Sequence, residues 1–269
     1  MKNRKRPHRG RRRKKRIGNF ISTIILFIAI GVLIVCIYNL YQIQSEYWEG
    51  DRDYKQLREL AIQETEAPTE EEPRFVIDFD ALGDVNTDIK AWIRFDEPSI
   101  IDYPVVQGPN NTVYLHRTLS GYENTMGAIF INAGNNPDFT DRHTIIYGHN
   151  MNNGSMFGEL DAYGERNFWE QYPYFYIYTP DGAEIRYKIV ATGVVNEISD
   201  IYQYAFASDE DFGQFLELVK STALYDTGMA GALNTESQLV TLSTCTAASG
   251  VNRFVVTGIK DEVRMPRGQ

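Results

Sequence analysis

The run "IGNFISTIILFIAIGVLIVCIYNLY", residues 17–41, holds no charged side chain. A helix rises about 1.5 Å per residue, so about 20 such residues cross the ~30 Å hydrocarbon layer of a bilayer. The segment therefore predicts a membrane span, and whatever follows it must fold on one side of that membrane. A secretory signal has a shorter apolar core of about 7–15 residues and a small-x-small cleavage site. The continuation "YNLYQIQSEYW" offers no such site, so the segment reads as an uncleaved anchor.

Charge sets the orientation. Residues 1–16, "MKNRKRPHRGRRRKKR", carry 11 of the 27 Lys and Arg and none of the 36 Asp and Glu, so the net charge of -9 averages a basic tail with an acidic body. Basic flanks stay on the cytoplasmic face, which puts the amino terminus inside and everything after Tyr41 outside. The run "RGRRRKKR" would also suit a nucleic-acid patch. Beside a span, attraction to anionic lipid accounts for it at about 1 kcal/mol per Lys or Arg, and no nucleic-acid partner is expected.

After the span, "QIQSEYWEGDRDYKQLRELAIQE" is polar with scattered Leu, Tyr and Trp and reads as a stalk helix. The segment "TEAPTEEEP" cannot bury apolar area or hold a helix and reads as a linker. The expected divisions are a cytoplasmic tail (1–16), an anchor (17–41), a juxtamembrane helix with an acidic linker (42–73) and an external folded domain (74–269). That domain contains eight short apolar or alternating runs: 89–95, 102–106, 127–131, 143–149, 175–179, 183–195, 238–245 and 253–263. Without regular alternation between strands and helices, they suggest an antiparallel barrel or sandwich. One clear helix interrupts them, capped by Ser208, with Phe212, Phe215, Leu216 and Val219 on one face. Residues 110–115 and 155–171 are weaker helical segments.

The chain has only two cysteines, and Cys36 lies inside the span. Cys245 is thus the lone thiol of an external domain: a small buried hydrophobe, a dimerisation point or a nucleophile. Its strand, "LVTLSTC", ends on it, and the strand "HTIIYGHN" ends near His149. Arg253 opens the next strand across "TAASGVN", which is short enough for a hairpin that brings Arg253 beside Cys245. A thiolate attacks a carbonyl carbon, an imidazolium protonates a leaving amine, and a guanidinium donates fixed hydrogen bonds to an oxyanion. Each residue also has an ordinary reading: a turn histidine, a surface arginine. No cysteine–histidine spacing suits zinc, so no metal site is expected.

These residues resemble a known family. "TLSTC" with Arg253 following it, "YGHN" far upstream, and a single basic-flanked anchor resemble the sortases, membrane-anchored cysteine transpeptidases of Gram-positive bacteria. "DYPVVQGPNNTVYL", "GAIFI", "IIYGHNMNNGSMFGEL" and the long helix before "TLSTC" are similar to class B, over nearly all of Phe75 to Val263. The resemblance implies a mainly β fold, a closed eight-stranded β-barrel decorated with helices. It implies Cys245 as nucleophile, His149 as general acid and base, and Arg253 as the substrate-orienting, oxyanion-stabilising residue. Asn111, Leu115, Tyr147 and Ser243 match positions lining the family's sorting-signal groove, although Leu115 and Tyr147 also suit core packing. Other motif-recognising residues are expected near helix 209–222 and in the loop before Gln238.

The implied reaction cleaves a C-terminal sorting motif of a surface protein after Thr, holds the protein as a thioacyl enzyme, and releases it to an amine of a peptidoglycan precursor or a pilin. No metal or organic cofactor is needed. Location follows: a single-pass protein of the cell membrane with its catalytic domain outside. With ordinary values of about 8.5 for Cys and 6.5 for His, the thiolate–imidazolium pair is about 1% of the enzyme near pH 7.5, so a slow enzyme with a bell-shaped pH profile is expected. Two other readings compete. A papain-like cysteine hydrolase would place Cys before His, the reverse of this order. A membrane-tethered binding module would need Cys245 to be inert.

Overall fold

The computed structural model describes residues 10–64, 72–246 and 249–266, and the side chains among them except those of 10–19, 43, 46, 64, 245, 246 and 249. Most of the basic tail, most of the acidic linker and the Cys245 side chain lie outside the described residues. The chain forms two compact units, Met1–Trp48 and Glu49–Gln269. The first holds most of a long helix, α1 (Gly10–Ala61). From Phe20 onward this helix contains an 18-residue window of mean hydropathy 3.1, long and apolar enough to cross a membrane. Its Phe27, Leu33 and Val35 are exposed, as a lipid-facing helix requires.

The last turns of α1 belong to the second unit. Tyr54, Leu57 and Ala61 recur at helical spacing and are all buried. Tyr54 Oη donates to the Gly127 carbonyl at 2.8 Å, and its ring meets Tyr103 edge-on at 5.3 Å. Composition places the start of the fold at Arg74; packing extends the unit back to Glu49, because three core residues are diluted among polar neighbours. Two short strands absent from the periodicity follow, β1 (Ile62–Glu64) and β2 (Phe75–Ile77), paired antiparallel with Ile62 opposite Ile77. Asp78 then caps α2 (Phe79–Val85), its carboxylate accepting from Ala81 N at 2.9 Å.

Eight further strands close into a barrel: β3 (Ile89–Phe95), β4 (Asp102–Val106), β5 (Ile129–Ile131), β6 (His143–Tyr147), β7 (Tyr174–Tyr178), β8 (Glu184–Asn196), β9 (Leu239–Thr246) and β10 (Ser249–Arg264). Their order around it is β10-β8-β7-β3-β4-β5-β6-β9. Closure pairs each of these eight strands on both sides, so among the described residues the barrel has no free edge. An all-antiparallel sheet is the expectation that fails. β4 pairs with β5 in parallel, Val105 opposite Ile129, and β6 with β9 in parallel, Ile146 opposite Leu242. Alternation along a strand reports which face is buried, not which way its neighbour runs, and the long connections 107–128 and 148–238 give the chain room to return in the same direction.

Trp92, Ile93, Val105, Ile129, Ile146, Phe175, Tyr187 and Leu242 are fully or almost fully buried. Outside the barrel, α4 (Asp209–Thr222) is capped by Ser208, whose side chain accepts from Asp211 N. Its Phe212, Phe215, Leu216 and Val219 join Val190, Ala191, Val195, Leu239 and Val255 in one buried cluster. Each large side chain there contributes about 1.5–3 kcal/mol. Gly193 on β8 permits this, because a Cβ at that position would run into the carbonyl oxygen of Thr222 at the end of α4. The weaker helical segments shrink to 3-10 turns at Val113–Leu115 and Gly158–Gly164 and a short α3 (Arg166–Gln171).

Candidate active site

The parallel β6–β9 seam positions the chemistry. Tyr147 is the register partner of Ser243, and Gly148 N donates to the Ser243 carbonyl at 3.1 Å, carrying the ladder one step past the end of β6. His149 follows Tyr147 by two residues, and Cys245 follows Ser243 by two. Neighbouring parallel strands end on one rim, so both residues reach the same end of the barrel. On the other side of β9 the ladder is antiparallel, and there Arg253 is the register partner of Cys245. The pairing shifts register between Ser249 and Arg253 before the ladder resumes.

His149 is partly buried and anchored at both backbone and ring. Its carbonyl accepts from Phe157 N at 2.9 Å. Its Nε2 lies 2.6 Å from the Leu115 carbonyl oxygen. A carbonyl only accepts, so Nε2 carries the hydrogen and Nδ1 is the ring nitrogen left to exchange a proton. Burial holds the His149 pKa below the ordinary histidine value; the bond to Leu115 opposes this and nearby His116, whose ring centroid is 5.8 Å away, adds to it. The environment therefore favours the neutral imidazole.

The Leu115 carbonyl is itself held in place. Ala128 N donates to the Tyr114 carbonyl at 2.9 Å. Gly127, at φ +57°, passes so close that a Cβ there would lie 2.6 Å from the Leu115 oxygen and 2.7 Å from that of Tyr114. Only glycine allows both the left-handed backbone and that approach. The Gly127 carbonyl is the acceptor of the Tyr54 hydroxyl, so the end of α1 braces the segment that orients His149.

Arg253 is clamped. Its Nη1 donates to the Gly250 and Asn252 carbonyls at 2.9 and 3.0 Å, and Nη2 donates to Glu197 Oε2 at 2.6 Å. His149, Arg253, Asn111, Leu115, Tyr147 and Ser243 all line one cavity of 520 Å³. Of the expected site residues only Cys245 is placed by its backbone alone. Tyr147 Oη accepts from Asn132 Nδ2 at 3.1 Å, and Ser243 Oγ bonds the Tyr202 hydroxyl at 2.9 Å. Asn111 spends its carbonyl oxygen on Ala133 N at 2.7 Å, which leaves its amide hydrogens for other partners.

The rest of the wall is Phe130, Gly148, Glu197, Ile198, Tyr202 and Thr244, which sequence reasoning missed. Three of these follow β8, where Asn196 Oδ1 accepts from Ile198 N at 3.1 Å and turns the chain back over the barrel end. Ile198 is 86% exposed, an apolar side chain with no core to fill. An isoleucine amid "NEISD" was the available signal. Among the described residues, none of helix 209–222 or of the loop before Gln238, where recognition was also expected, lines this cavity. α4 spends its apolar face on the core. Gln238 precedes the start of β9 while Cys245 is near its end, about 23 Å away at ~3.3 Å per residue.

A closed barrel that gathers a cysteine strand end, an oriented imidazole and a clamped guanidinium at one rim has the parts of a cysteine acyl-transfer enzyme. Comparison with protein families matches the Sortase domain over residues 96–261. Sortase B of Listeria monocytogenes is 28% identical over 234 residues, covering 86% of this chain and 92% of that protein. Sortase B of Staphylococcus aureus is 27% identical over 225 residues, covering 83% and 88%. Among solved structures, a Bacillus anthracis protein described as similar to sortase B superposes with a TM-score of 0.67 at 30% identity, covering 80% of this chain and 98% of that one. The chain belongs to the sortase family, the cysteine transpeptidases, and groups with its class B members.

Proposed function

We propose that the chain is a membrane-anchored sorting enzyme in which Cys245, His149 and Arg253 perform the transfer. The Cys245 thiolate attacks the carbonyl carbon of the Thr in a C-terminal sorting motif. Arg253 donates hydrogen bonds to the oxyanion that forms. The C–N bond breaks as His149 gives a proton from Nδ1 to the leaving amine, and the surface protein stays on sulfur as a thioester. An acceptor amine, of a peptidoglycan precursor or a pilin, then yields a proton to His149, attacks the thioester and frees the thiolate. The observation that carries this reading is the 520 Å³ cavity that His149 and Arg253 share beside the Cys245 backbone. A crystal structure of a sortase B complexed with triglycine, 26% identical to this chain with a TM-score of 0.62, supports a glycine amine as the acceptor class.

The same reading makes α1 an anchor with the basic residues 1–16 in the cytoplasm and the catalytic unit outside. Substrate and lipid-linked acceptor then meet the enzyme at the outer face. Burial of His149 lowers the fraction of imidazolium further than an exposed histidine would. The productive ion pair is thus a minor form, and turnover is slow.

The test is to incubate the full-length chain in non-ionic detergent with a library of sorting-motif peptides and map any acyl adduct by mass spectrometry. An adduct on Cys245 that triglycine converts to a peptide amide supports the reading. No adduct on Cys245, or release as free acid however much amine is present, overturns it.

A further inference from the structure

The cavity wall contains one acid and one base of fixed charge, and they are paired with each other. Among the described residues lining it, Glu197 and Arg253 are the only Asp, Glu, Lys or Arg. Glu197 takes the Arg253 Nη2 at 2.6 Å. Its backbone is pinned to the same hairpin, since Glu197 N donates to the Val251 carbonyl at 2.9 Å. Nη1 of Arg253 is spent on the Gly250 and Asn252 carbonyls. Of the five N–H bonds of a guanidinium, the described partners therefore take three and leave Nε–H and one Nη2–H as donors.

An arginine without a counter-ion binds carboxylates in preference to carbonyls, because it adds full charge attraction to the same hydrogen bonds. With Glu197 attached, the local net charge is close to zero while two donors persist. We propose that Glu197 is a specificity-determining residue: it cancels the charge of Arg253, so the site admits the neutral carbonyl of a peptide bond and turns away peptide carboxylates. Free chain ends and hydrolysed motifs carry that carboxylate and are excluded without loss of the oxyanion donors. The inference rests on the reading of this cavity as the acyl-transfer site.

Iodoacetate and iodoacetamide test it without knowledge of the motif. Both form the same S–CH2 bond on a thiolate and expel iodide; they differ only in a carboxylate against an amide. The ratio of their rates at Cys245, taken at one pH, cancels the thiolate fraction and any general loosening of the fold. The full-length chain in non-ionic detergent is treated with each, and Cys245 and Cys36 are followed separately by peptide mapping. For a unit charge at ~6 Å and an effective dielectric of ~40–80, Glu197→Gln should raise the iodoacetate-to-iodoacetamide ratio at Cys245 about three- to tenfold. Glu197→Asp should keep it near the wild-type value, and Arg253→Gln should lower it below that value. The Arg253 side chain is 22% exposed and that of Glu197 43%, so the Glu197→Gln effect should shrink in high salt. An unchanged ratio in Glu197→Gln, or in Arg253→Gln, overturns the inference. Failure of iodoacetamide to modify Cys245 in the wild type overturns the reading of the site instead.

Discussion

Arg253 faces Cys245 directly across the antiparallel β9–β10 ladder, with three guanidinium hydrogens already committed to Gly250, Asn252 and Glu197. The guanidinium is therefore oriented before any substrate arrives, which is the condition under which a hydrogen-bond donor lowers a barrier rather than merely binding.

Lysine cannot reproduce that clamp, since it offers a point charge on a flexible stem. Arg253→Lys should reduce kcat/KM by about 10²–10³, the range for removal of an oxyanion donor. Steady-state kinetics with the trapped sorting peptide would show it, and thermal unfolding should shift far less than in a core variant.

If His149 is the proton donor proposed above, it sets the acid limb of the pH–rate profile. Burial lowers its pKa, so this limb should fall below pH 6.5 rather than at it. His116 contributes to the lowering, so His116→Gln should move the limb upward by a small amount. A limb that moved downward would contradict the assignment.

His143 predicts how acid unfolds the protein. It is fully buried, with Nδ1 at 2.7 Å from the Gln203 carbonyl and Nε2 at 2.8 Å from Thr241 Oγ1. Burial pushes its pKa down from 6.5 to about 4. The unfolded chain therefore takes up the proton first as pH falls, and stability should drop progressively from about pH 6.5 to 4, by roughly 3 kcal/mol in all. Urea unfolding of the wild type and of His143→Gln across that window should show a shallower pH dependence in the variant.

Gly127→Ala should injure the site without touching a reacting group. A methyl group at φ +57° would press on the Leu115 carbonyl that orients His149. We expect a loss of about 1–3 kcal/mol in stability and a fall in kcat larger than any rise in KM. Steady-state kinetics with a raised KM and an intact kcat would argue against it.

Truncation distinguishes a stalk from a structural helix. A chain beginning at Glu49 keeps the buried Tyr54, Leu57 and Ala61, whereas one beginning at Arg74 exposes their partners. At about 1.5–3 kcal/mol for each large buried side chain, the shorter chain should be several kcal/mol less stable. Comparing the two by denaturant melts settles it.

The strands and the clear helix were legible because their signals are local. Ile89–Phe95 and Asp102–Val106 stand where alternation and turn residues put them, and Ser208 caps α4 as its hydroxyl type suggests. The strands β1 and β2 were not legible, since three residues are too few for a period and their stability comes from pairing with each other. Asn111, Leu115, Tyr147 and Ser243 were named through family resemblance, not through spacing. Glu197, Ile198 and Tyr202 were missed because they reach the site only after β8 has crossed the barrel.

By itself the sequence determined the long apolar N-terminal helix, the run of short strands and the closeness of Cys245 to Arg253, all of which depend on neighbours within a few residues. The tertiary structure alone decided that β6 and β9 run parallel, that His149 therefore reaches the same barrel end as Cys245, and that Leu115, Gly127 and Glu197 hold the His149 and Arg253 side chains in place. The reason is physical: hydropathy and hairpin geometry act over one turn or one strand, whereas the pairing of distant strands is chosen by closure of the whole barrel and burial of its common core.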